Sequence, residues 1–578
     1  MNAERLLTQY EQVADAPDAI DRLRQFILDL GVRGKLLPQD PIDEPASELL
    51  KRLHRERTHK RKFAQIDEDE LETPLPDLPA KWLWTTADQI SADDDNSITD
   101  GPFGSQLKTE HYIQKPGFRV IRLQNIGGGT FRAEHHSYID QSRYEHLSKH
   151  HIRAGDLVVA GLVDPGVRCC EVPDDIGPAL VKADCYRFAV HPKLSSRYAL
   201  HFLNSTLAQD FAAVHHHGMT LTRIGLGNFR RIPVPLPPLA EQHRIVTKVD
   251  ELMVLCDRLE AARENSEAAR DRLAVASLAR LNAPDPETFQ ADARFALDAL
   301  PALTTRPDQI KQLRRTILNL AVRGKLVPQD ANDEPASQLI KRIGKAIPSA
   351  EIGEGTAELQ PFDLPPSWVW TRLGRIVSHS EAGWSPRTED HPRNADEWGV
   401  LKVSAVSWDE FRPSENKQIL PGTEPRLQAE VKRGDFLISR ANTAELVARA
   451  VIVKEDPIKL MMSDKIVRLR LSEYCDHRFV WIVNNYANFS REYYIRHASG
   501  VSPSMKNVSR GAILNLPLPL PPLAEQHRIV AKADALMALC DRLEASLAAT
   551  AATRRRLLDA LLAEALTPAE DREMQAAE

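Results

Sequence analysis

Six cysteines in 578 residues, at positions 169, 170, 185, 256, 475 and 540, include no Cys-x-x-Cys pair. That spacing offers neither a zinc ribbon nor a disulfide framework, and it fits a reduced cytoplasm. No run of about 18 apolar residues occurs, so no membrane span is expected. The opening Met1-Asn-Ala-Glu-Arg is polar and lacks the apolar stretch of a signal peptide. No Walker A string exists, which removes the usual nucleotide phosphate cradle. Gly225-Leu-Gly227 lacks the third glycine of a dinucleotide turn. His215-His-His217 has no partner Cys or His at zinc-like spacing and reads as a solvated or phosphate-facing cluster. Glu430-Val-Lys432, with Asp409 upstream, matches the letters of a metal-nuclease site, but a charged strand end fits as well.

What is present is a repeat. Pro235-Leu-Pro-Pro-Leu-Ala-Glu-Gln-His-Arg-Ile-Val246 returns as Pro519 to Val530. The match runs on through Asp257-Arg-Leu-Glu260 and Asp541-Arg-Leu-Glu544, 26 positions with four differences at an offset of 284. Upstream, Ile20 to Leu53 matches Ile310 to Ile343 at an offset of 290, each with Val-Arg-Gly-Lys-Leu, Pro-Gln-Asp and Asp-Glu-Pro-Ala-Ser. A third echo is Leu78-Pro-Ala-Lys-Trp-Leu-Trp84 against Leu364-Pro-Pro-Ser-Trp-Val-Trp370. The order helix, variable block, helix is written twice, and such self-similarity governs the fold.

Taken in order, residues 1–63 read as an N-terminal helical region, with Ile20, Leu23, Ile27 and Leu30 at helical spacing and a second helix over Glu44 to Lys62. Residues 65–76 are an acidic, Pro-bearing linker. Residues 79–236 form the first variable block. Arg119-Val-Ile-Arg-Leu, Asp156-Leu-Val-Val-Ala and Cys185-Tyr-Arg-Phe-Ala-Val read as strands, and Ser196 to His215 as a helix. Residues 237–345 are a central helical region. The second block, 364–520, repeats the outline, with strands at Val400-Leu-Lys-Val-Ser, Asp435-Phe-Leu-Ile-Ser and Lys465 to Leu471 and a helix over His477 to Arg496. Each block ends in prolines alternating with Leu or Val, which must be extended, and Pro238 and Pro522 suit a helix start. Ile245, Val249, Leu252, Cys256 and Leu259 then step 4-3-4-3, as do Ile529, Ala533, Leu536, Cys540, Leu543 and Leu547, a coiled-coil seam. The first such helix could run to about Asn282 and the second, 521–566, to about Leu566. A tail over 567–578 is expected to be disordered. The fold class expected is α+β: two α/β domains separated by long antiparallel coiled-coil helices, with a pseudo-two-fold internal repeat.

Charge is distributed unevenly. The first block holds 17 Lys and Arg against 16 Asp and Glu, the second 22 against 18, and the remainder carries −11 of the net −6. Mildly basic blocks on an acidic frame are compatible with a local nucleic-acid face.

Together these features resemble the specificity (S) subunit of type I restriction-modification enzymes. The Pro-Leu-Pro-Pro-Leu-Ala-Glu-Gln-His-Arg-Ile-Val string after a variable block, the Val-Arg-Gly-Lys-Leu helix and the Leu-Pro-x-x-Trp-x-Trp openings carry the likeness. So do Gly101-Pro-Phe-Gly-Ser105, Val120 to Ile126, Val400 to Val406 and Gly434 to Arg440. The resemblance implies a sequence-specific DNA-binding subunit with two target-recognition domains, each reading one half of a bipartite double-stranded site. The helices would set the spacer and dock two methyltransferase (M) subunits, and restriction/translocase (R) subunits would complete the complex. S-adenosylmethionine, ATP and Mg2+ are then expected on the partners and no cofactor, metal or catalytic residue on this chain. The Asn/Asp-Pro-Pro-aromatic loop of an N6-adenine methyltransferase is absent; Asp363-Leu-Pro-Pro-Ser-Trp368 has the wrong order. The location implied is cytoplasmic, with no membrane partner.

Base reading favours Arg, Lys, amides and hydroxyls on loops. The candidates in the first domain are Ser105, Gln106, Lys108, Arg122, Gln124, Asn125, Thr220, Thr222 and Arg223. Those in the second are Arg387, Lys402, Ser404, Arg440, Ser502, Ser504, Lys506 and Asn507. A coiled-coil scaffold that reads no DNA and a self-contained modification or restriction enzyme stand as alternatives.

Overall fold

The computed structural model describes residues 16, 18–58, 62–66, 74–162, 166–214, 216–217, 223–282, 291, 295, 304–347, 361–407, 410–500 and 505–566. The expected tail, 567–578, lies outside them. The chain forms two compact units, 1–266 with 551–578, and 267–550. No helix among the described residues is long and apolar enough to cross a membrane.

In the first unit, α1 (Ala19–Val32) and α2 (Ala46–Glu56) precede the domain, and the first part of α5 (Leu239–Asn282) follows it. One face of α1, with Ile20, Ile27 and Leu28, packs on Ile245, Val249 and Cys256 of α5. Its other face, with Ala19 and Phe26, packs on Leu558, Leu561 and Leu562 of α10 (Leu523–Leu566). The buried positions of the 4-3 stripe are therefore covered by the Val-Arg-Gly-Lys-Leu helix, while Leu259, at the same spacing, is exposed. Arg24 of α1 reaches Asp257 at 2.7 Å and Glu260 at 2.6 Å, which accounts for the repeated Asp-Arg-Leu-Glu string.

The second unit repeats this with α6 (Pro307–Val322) and α7 (Ala336–Ala346). Ile310 and Ile317 pack on Cys540, and Arg314 reaches Asp541 at 2.7 Å and Glu544 at 2.8 Å. The described parts of the two long helices reach Asn282 and Leu566.

The joint between helix and domain explains the repeated signature. Gly34 and Gly324 adopt φ +66° and +67°, and a Cβ there would lie 2.4 Å from Pro79 and 2.6 Å from Pro365. The turn after α1 thus presses on the Leu-Pro-x-x-Trp opening. Glu241 accepts from Trp82 Nε1 at 3.0 Å and from Gln39 at 2.5 Å. Gln242 accepts from the Ser195 N–H at 3.1 Å and donates to the Pro237 carbonyl at 2.9 Å. Arg244 pairs with Asp43 at 2.6 Å. Gln329 with Glu525, Gln526 with Asp476 and Pro521, and Arg528 with Asp333 repeat the set. Buried polar groups cost stability unless paired, and most of these are matched; in the second joint Trp368 Nε1 and one Glu525 oxygen have no hydrogen-bond partner.

Within the first domain β1 (Leu83–Thr86) pairs antiparallel with the proline-alternating β12 (Pro233–Leu236). One sheet has the order β2 (Ile98–Asp100), β9 (Cys185–Phe188), β6 (Leu157–Ala160), β7 (Arg168–Glu171). The other has β4 (Tyr138–Ile139), β3 (Phe118–Ile121), β8 (Ala179–Val181), β5 (His151–Ile152), with β3 and β8 parallel. The second domain has the same plan. β13 (Val369–Arg372) pairs with β23 (Pro517–Leu520). One sheet runs β14 (Val377–Ala382), β21 (Ile466–Leu471), β17 (Phe436–Ser439), β19 (Ala450–Ile452), the other β16 (Asn416–Gln418), β15 (Gly399–Leu401), β20 (Leu460–Met461), with β15 and β20 parallel.

The expected single helix of each domain is two: α3 (Ser196–Leu203) and α4 (Thr206–Val214), then α8 (His477–Tyr486) and α9 (Asn488–His497). The break is built in. The Ser205 hydroxyl donates back to the Phe202 carbonyl, and Ala487 is extended at ψ 127°. At each break an asparagine covers the outer edge strand. Asn204 bonds both backbone groups of Cys169, and Asn485 both of Ala450. An amide side chain thereby stands in for a missing strand and closes the edge.

Candidate nucleic-acid interface

In the first domain β2, β3, β6 and β8 all end at one edge of the two sheets. Lys182 N–H donates to Ile121 at 2.8 Å, Gly161 N–H to Asp184 at 2.8 Å and Ile224 N–H to Gly161 at 3.0 Å. Gly101 has no room for a side chain, since a Cβ would lie 2.0 Å from the Lys182 carbonyl carbon. Lys182 Nζ then donates to the Leu107 carbonyl at 2.7 Å. These bonds gather loops 101–108, 122–125 and 182–184 and β11 (Arg223–Ile224) at one end. Ser105, Gln106, Lys108, Arg122 and Gln124 are exposed there. Arg223 lies beside Asp184 at 3.1 Å.

Asn125 does something different. It is buried, accepts from the Arg122 N–H at 3.0 Å and donates to the Arg132 and His135 carbonyls at 2.9 and 2.8 Å. Its amide is spent on holding the loop that presents Arg122 and Gln124. Thr220 and Thr222 lie outside the described residues.

The second domain gathers the corresponding loops with corresponding bonds. Arg440 N–H donates to Lys465 at 2.8 Å, Val508 N–H to Arg440 at 2.8 Å and Gly383 N–H to Ile466 at 3.1 Å. β18 (Ala441–Asn442) pairs with β22 (Lys506–Asn507), which sets Arg440, Lys506 and Asn507 side by side. Lys506 Nζ is held on the Gly500 carbonyl at 2.7 Å. Lys402 and Ser404 share Glu415, at 3.7 and 2.7 Å. Arg387 is exposed on the loop beyond β14. Ser502 and Ser504 lie outside the described residues.

Cations and carboxylates both stand at this end, Arg223 beside Asp184 and Lys402 beside Glu415. Burial and the neighbouring Arg122 guanidinium together hold the Lys182 ammonium below its ordinary range. Lys182 and Arg132 in the first domain and Lys465 in the second belong to the same edge, yet their sequence context did not single them out. Laying the two domains over each other strand by strand pairs Arg122 with Lys402 and Arg132 with Arg412. The second pair is fixed by matching bonds, Arg132 N–H to Asn125 at 2.8 Å and Arg412 N–H to Ala405 at 3.0 Å.

The opposite end of each sheet is structural. The turns Arg153-Ala-Gly-Asp156 and Lys432-Arg-Gly-Asp435 hold an aspartate that receives a buried arginine, Arg187 at 2.7 Å and Arg468 at 2.8 Å. Each arginine has a second carboxylate, Asp94 at 3.2 Å and Glu381 at 2.7 Å. Neither pair is a chemical site; each neutralises a buried charge. Glu430 of the nuclease-like string faces Lys432 at 4.0 Å, and Asp409 lies outside the described residues. Among the described residues no group of three or more His, Cys, Asp or Glu is placed to hold a metal.

The family model described as "Type I restriction modification DNA specificity domain" matches residues 169–268, from β7 through the joint into α5. Over 578 aligned residues the chain is 32% identical to the type I restriction enzyme EcoEI specificity subunit of Escherichia coli, covering 95% of this chain and 94% of that one. It is 28% identical to the EcoAI specificity subunit of the same species, over 94% of this chain and 93% of that one. The crystal structure of the HsdS subunit from Thermoanaerobacter tengcongensis aligns with 84% of this chain and 97% of its own, at 17% identity and a TM-score of 0.39. At 32% identity over 95% of this chain and 94% of the EcoEI subunit, the chain belongs to the specificity subunits of type I restriction enzymes.

Proposed function

We propose that this chain is the non-catalytic, DNA-reading subunit of a type I restriction-modification complex. Each domain reads one half of a split double-stranded site through its loop end. The long helices hold the two halves at a fixed spacing and dock two M subunits, which supply S-adenosylmethionine and methylate adenine N6. R subunits bring ATP, Mg2+ and cleavage. The complex works in the cytoplasm. The observation that carries this reading is the repetition of one joint under two domains whose loop ends share backbone bonds and differ in side chains. Two modest half-site affinities joined by a stiff spacer give a large gain at the correct separation and little otherwise.

The test is methylation by the assembled complex. Inserting one base pair into the spacer of the target abolishes specific methylation; unchanged methylation overturns the spacer role. Replacing residues 79–236 by another such domain alters one half-site, and a change in both halves overturns the modular reading. A scaffold that reads no DNA would leave the host methylation pattern independent of this chain.

A further inference from the structure

Among the described residues, Arg168 and Arg449 have no carboxylate within ion-pair distance, and both sit at the loop end. Arg168 opens β7 and stands opposite Ala160, the last residue of β6. Arg449 occupies the same register in the second domain, where its carbonyl accepts from the N–H of Ser439, the last residue of β17, at 2.9 Å. The Nε of both is buried without a hydrogen-bond partner. Arg449 donates to the Asn485 carbonyl at 2.9 Å and lies 5.7 Å from the Tyr486 ring centroid. No carboxylate lies within ion-pair distance of either among the described residues.

The contrast with Arg187 and Arg468 is instructive. Arg187 and Arg468 each have two carboxylates, while Arg119, which has none, donates to the Ala133 and His135 carbonyls at 3.0 and 2.8 Å. A partly buried guanidinium without one is expensive unless an anion completes it. In the second domain the field is stronger still, because Arg491 lies near Arg449 with its own NH1 buried and unpartnered. Arg491 donates only to the carbonyls of Glu445 and Val447, at 3.1 and 2.7 Å.

We propose that Arg168 and Arg449 are matched anchors for a phosphodiester phosphate, one in each half-site. This rests on the DNA-reading function above and specifies which residues touch the invariant part of the ligand. Two domains that read different bases on the same kind of ligand share only the sugar-phosphate backbone. A cation at the same register in both, with its Nε buried and without a hydrogen-bond partner, suits that shared element. The residues at matched places of the loop end differ: Gly161 against Arg440, Arg223 against Asn507. Phosphate contacts fix position, and base contacts supply sequence.

The experiment uses the assembled complex of this chain with its M partners. Binding to the target duplex and to an unrelated duplex is measured between about 50 and 200 mM salt. Each phosphate contact contributes about 0.9 to the slope of log affinity against log salt, so losing one reduces the fourfold-salt effect by roughly three- to fourfold. Arg168→Gln and Arg449→Gln are each expected to weaken both duplexes by a similar factor, to lower the slope by about one, and to leave the methylated sequence unchanged. Arg168→Lys and Arg449→Lys should restore the slope. With no carboxylate left stranded, the Gln variants should keep the wild-type melting temperature. An unchanged slope overturns the proposal, and so does a base preference altered in one half-site. So does stabilisation of the wild type alone by inorganic phosphate with no change in the DNA slope, which would mean a free-anion site. If the wild-type complex itself ignores the split target, the DNA-reading function fails instead, independently of these two residues.

Discussion

Replacing Arg187 by methionine is expected to unfold one recognition domain while sparing the other. Methionine keeps the unbranched stem and removes only the guanidinium. That group is 6% exposed and donates to Asp156 at 2.7 Å, to Asp94 at 3.2 Å and to the Asn96 carbonyl at 3.1 Å. Asp94 is about one-third exposed and returns to water at little cost. Asp156 is 12% exposed and keeps only the Arg153 N–H at 2.9 Å. Stranding one buried carboxylate costs about 3–5 kcal/mol. If β6 and β9 exchange through local opening, their amides should then exchange roughly a hundred- to several thousandfold faster. Hydrogen exchange followed by mass spectrometry reads peptides from β6 and β9 against those from β17 and β21. Adding Asp156→Asn to Arg187→Met should recover part of the loss. A change below about 1 kcal/mol would refute the assignment of Arg187 as the neutralising charge. Equal loss in both domains would refute the independence of their cores.

The joint titrates. Burial is the largest influence on Glu241 and Glu525 and holds both carboxyls above their ordinary range, against hydrogen bonds from Trp82 and Gln39 to the first and from Gln329 to the second. Their folded state therefore binds the proton more tightly than the unfolded state. The contribution is full below the unfolded carboxylate pKa and lost as pH rises through the raised folded value. Glu241→Gln should flatten the melting temperature against pH in that window; an unchanged profile would refute the burial argument. Gly34→Ala combines a left-handed φ with a Cβ 2.4 Å from Pro79 Cγ and should cost about 2–3 kcal/mol in thermal unfolding. Gly344→Ala, inside α7 with open space around it, should have the opposite sign, a gain of about 0.5–1 kcal/mol. Equal effects from the two alanines would sink the strain reading.

Much of the frame was legible because its code is periodic or duplicated. The 4-3 stripe located the buried faces at Ile245, Val249 and Cys256, and prolines marked where α5 begins. What covers those faces was not legible. A stripe states that something apolar lies opposite, and α1, a separate segment, supplies it through Ile20 and Ile27. Within the domains three strands of each, β3, β6 and β9 and then β15, β17 and β21, were legible as apolar runs bounded by turns, and the shorter ones were not. The breaks at Ser205 and Ala487 were not, because Ala, Ser and Thr carry no strong stop signal. Asn125 illustrates the limit for the site. An amide on a loop reads as a base reader, and only three hydrogen bonds reveal that it holds the loop. Arg168 and Arg449 stand 281 residues apart in blocks with little sequence likeness. Their equivalence follows from strand register alone.

The two halves of the repeat have drifted unequally for a physical reason. At the joint the bonds are made by side chains: Glu241, Gln242, Arg244, Trp82 and Gln39 each satisfy a specific buried partner. Changing one strands another, so the two copies stay alike. At the loop end the bonds are made by backbone: Gly161 to Asp184 in one domain, Arg440 to Lys465 in the other. A backbone N–H donates equally well whether glycine or arginine carries it. Apart from the Lys182 ammonium and the Asn125 amide, which tie down their own loops in the first domain, the loops are thereby held without reference to the side chains they present. Glycine at 161 is required only because Tyr186 leans over it, a Cβ coming within 2.7 Å of the ring, and the second domain has Val467 on the matched strand position. Arg440→Gly should accordingly leave the stability of the second domain nearly intact while altering what it binds. A melting temperature unchanged alongside a changed half-site preference would place specificity and folding on separate sets of atoms.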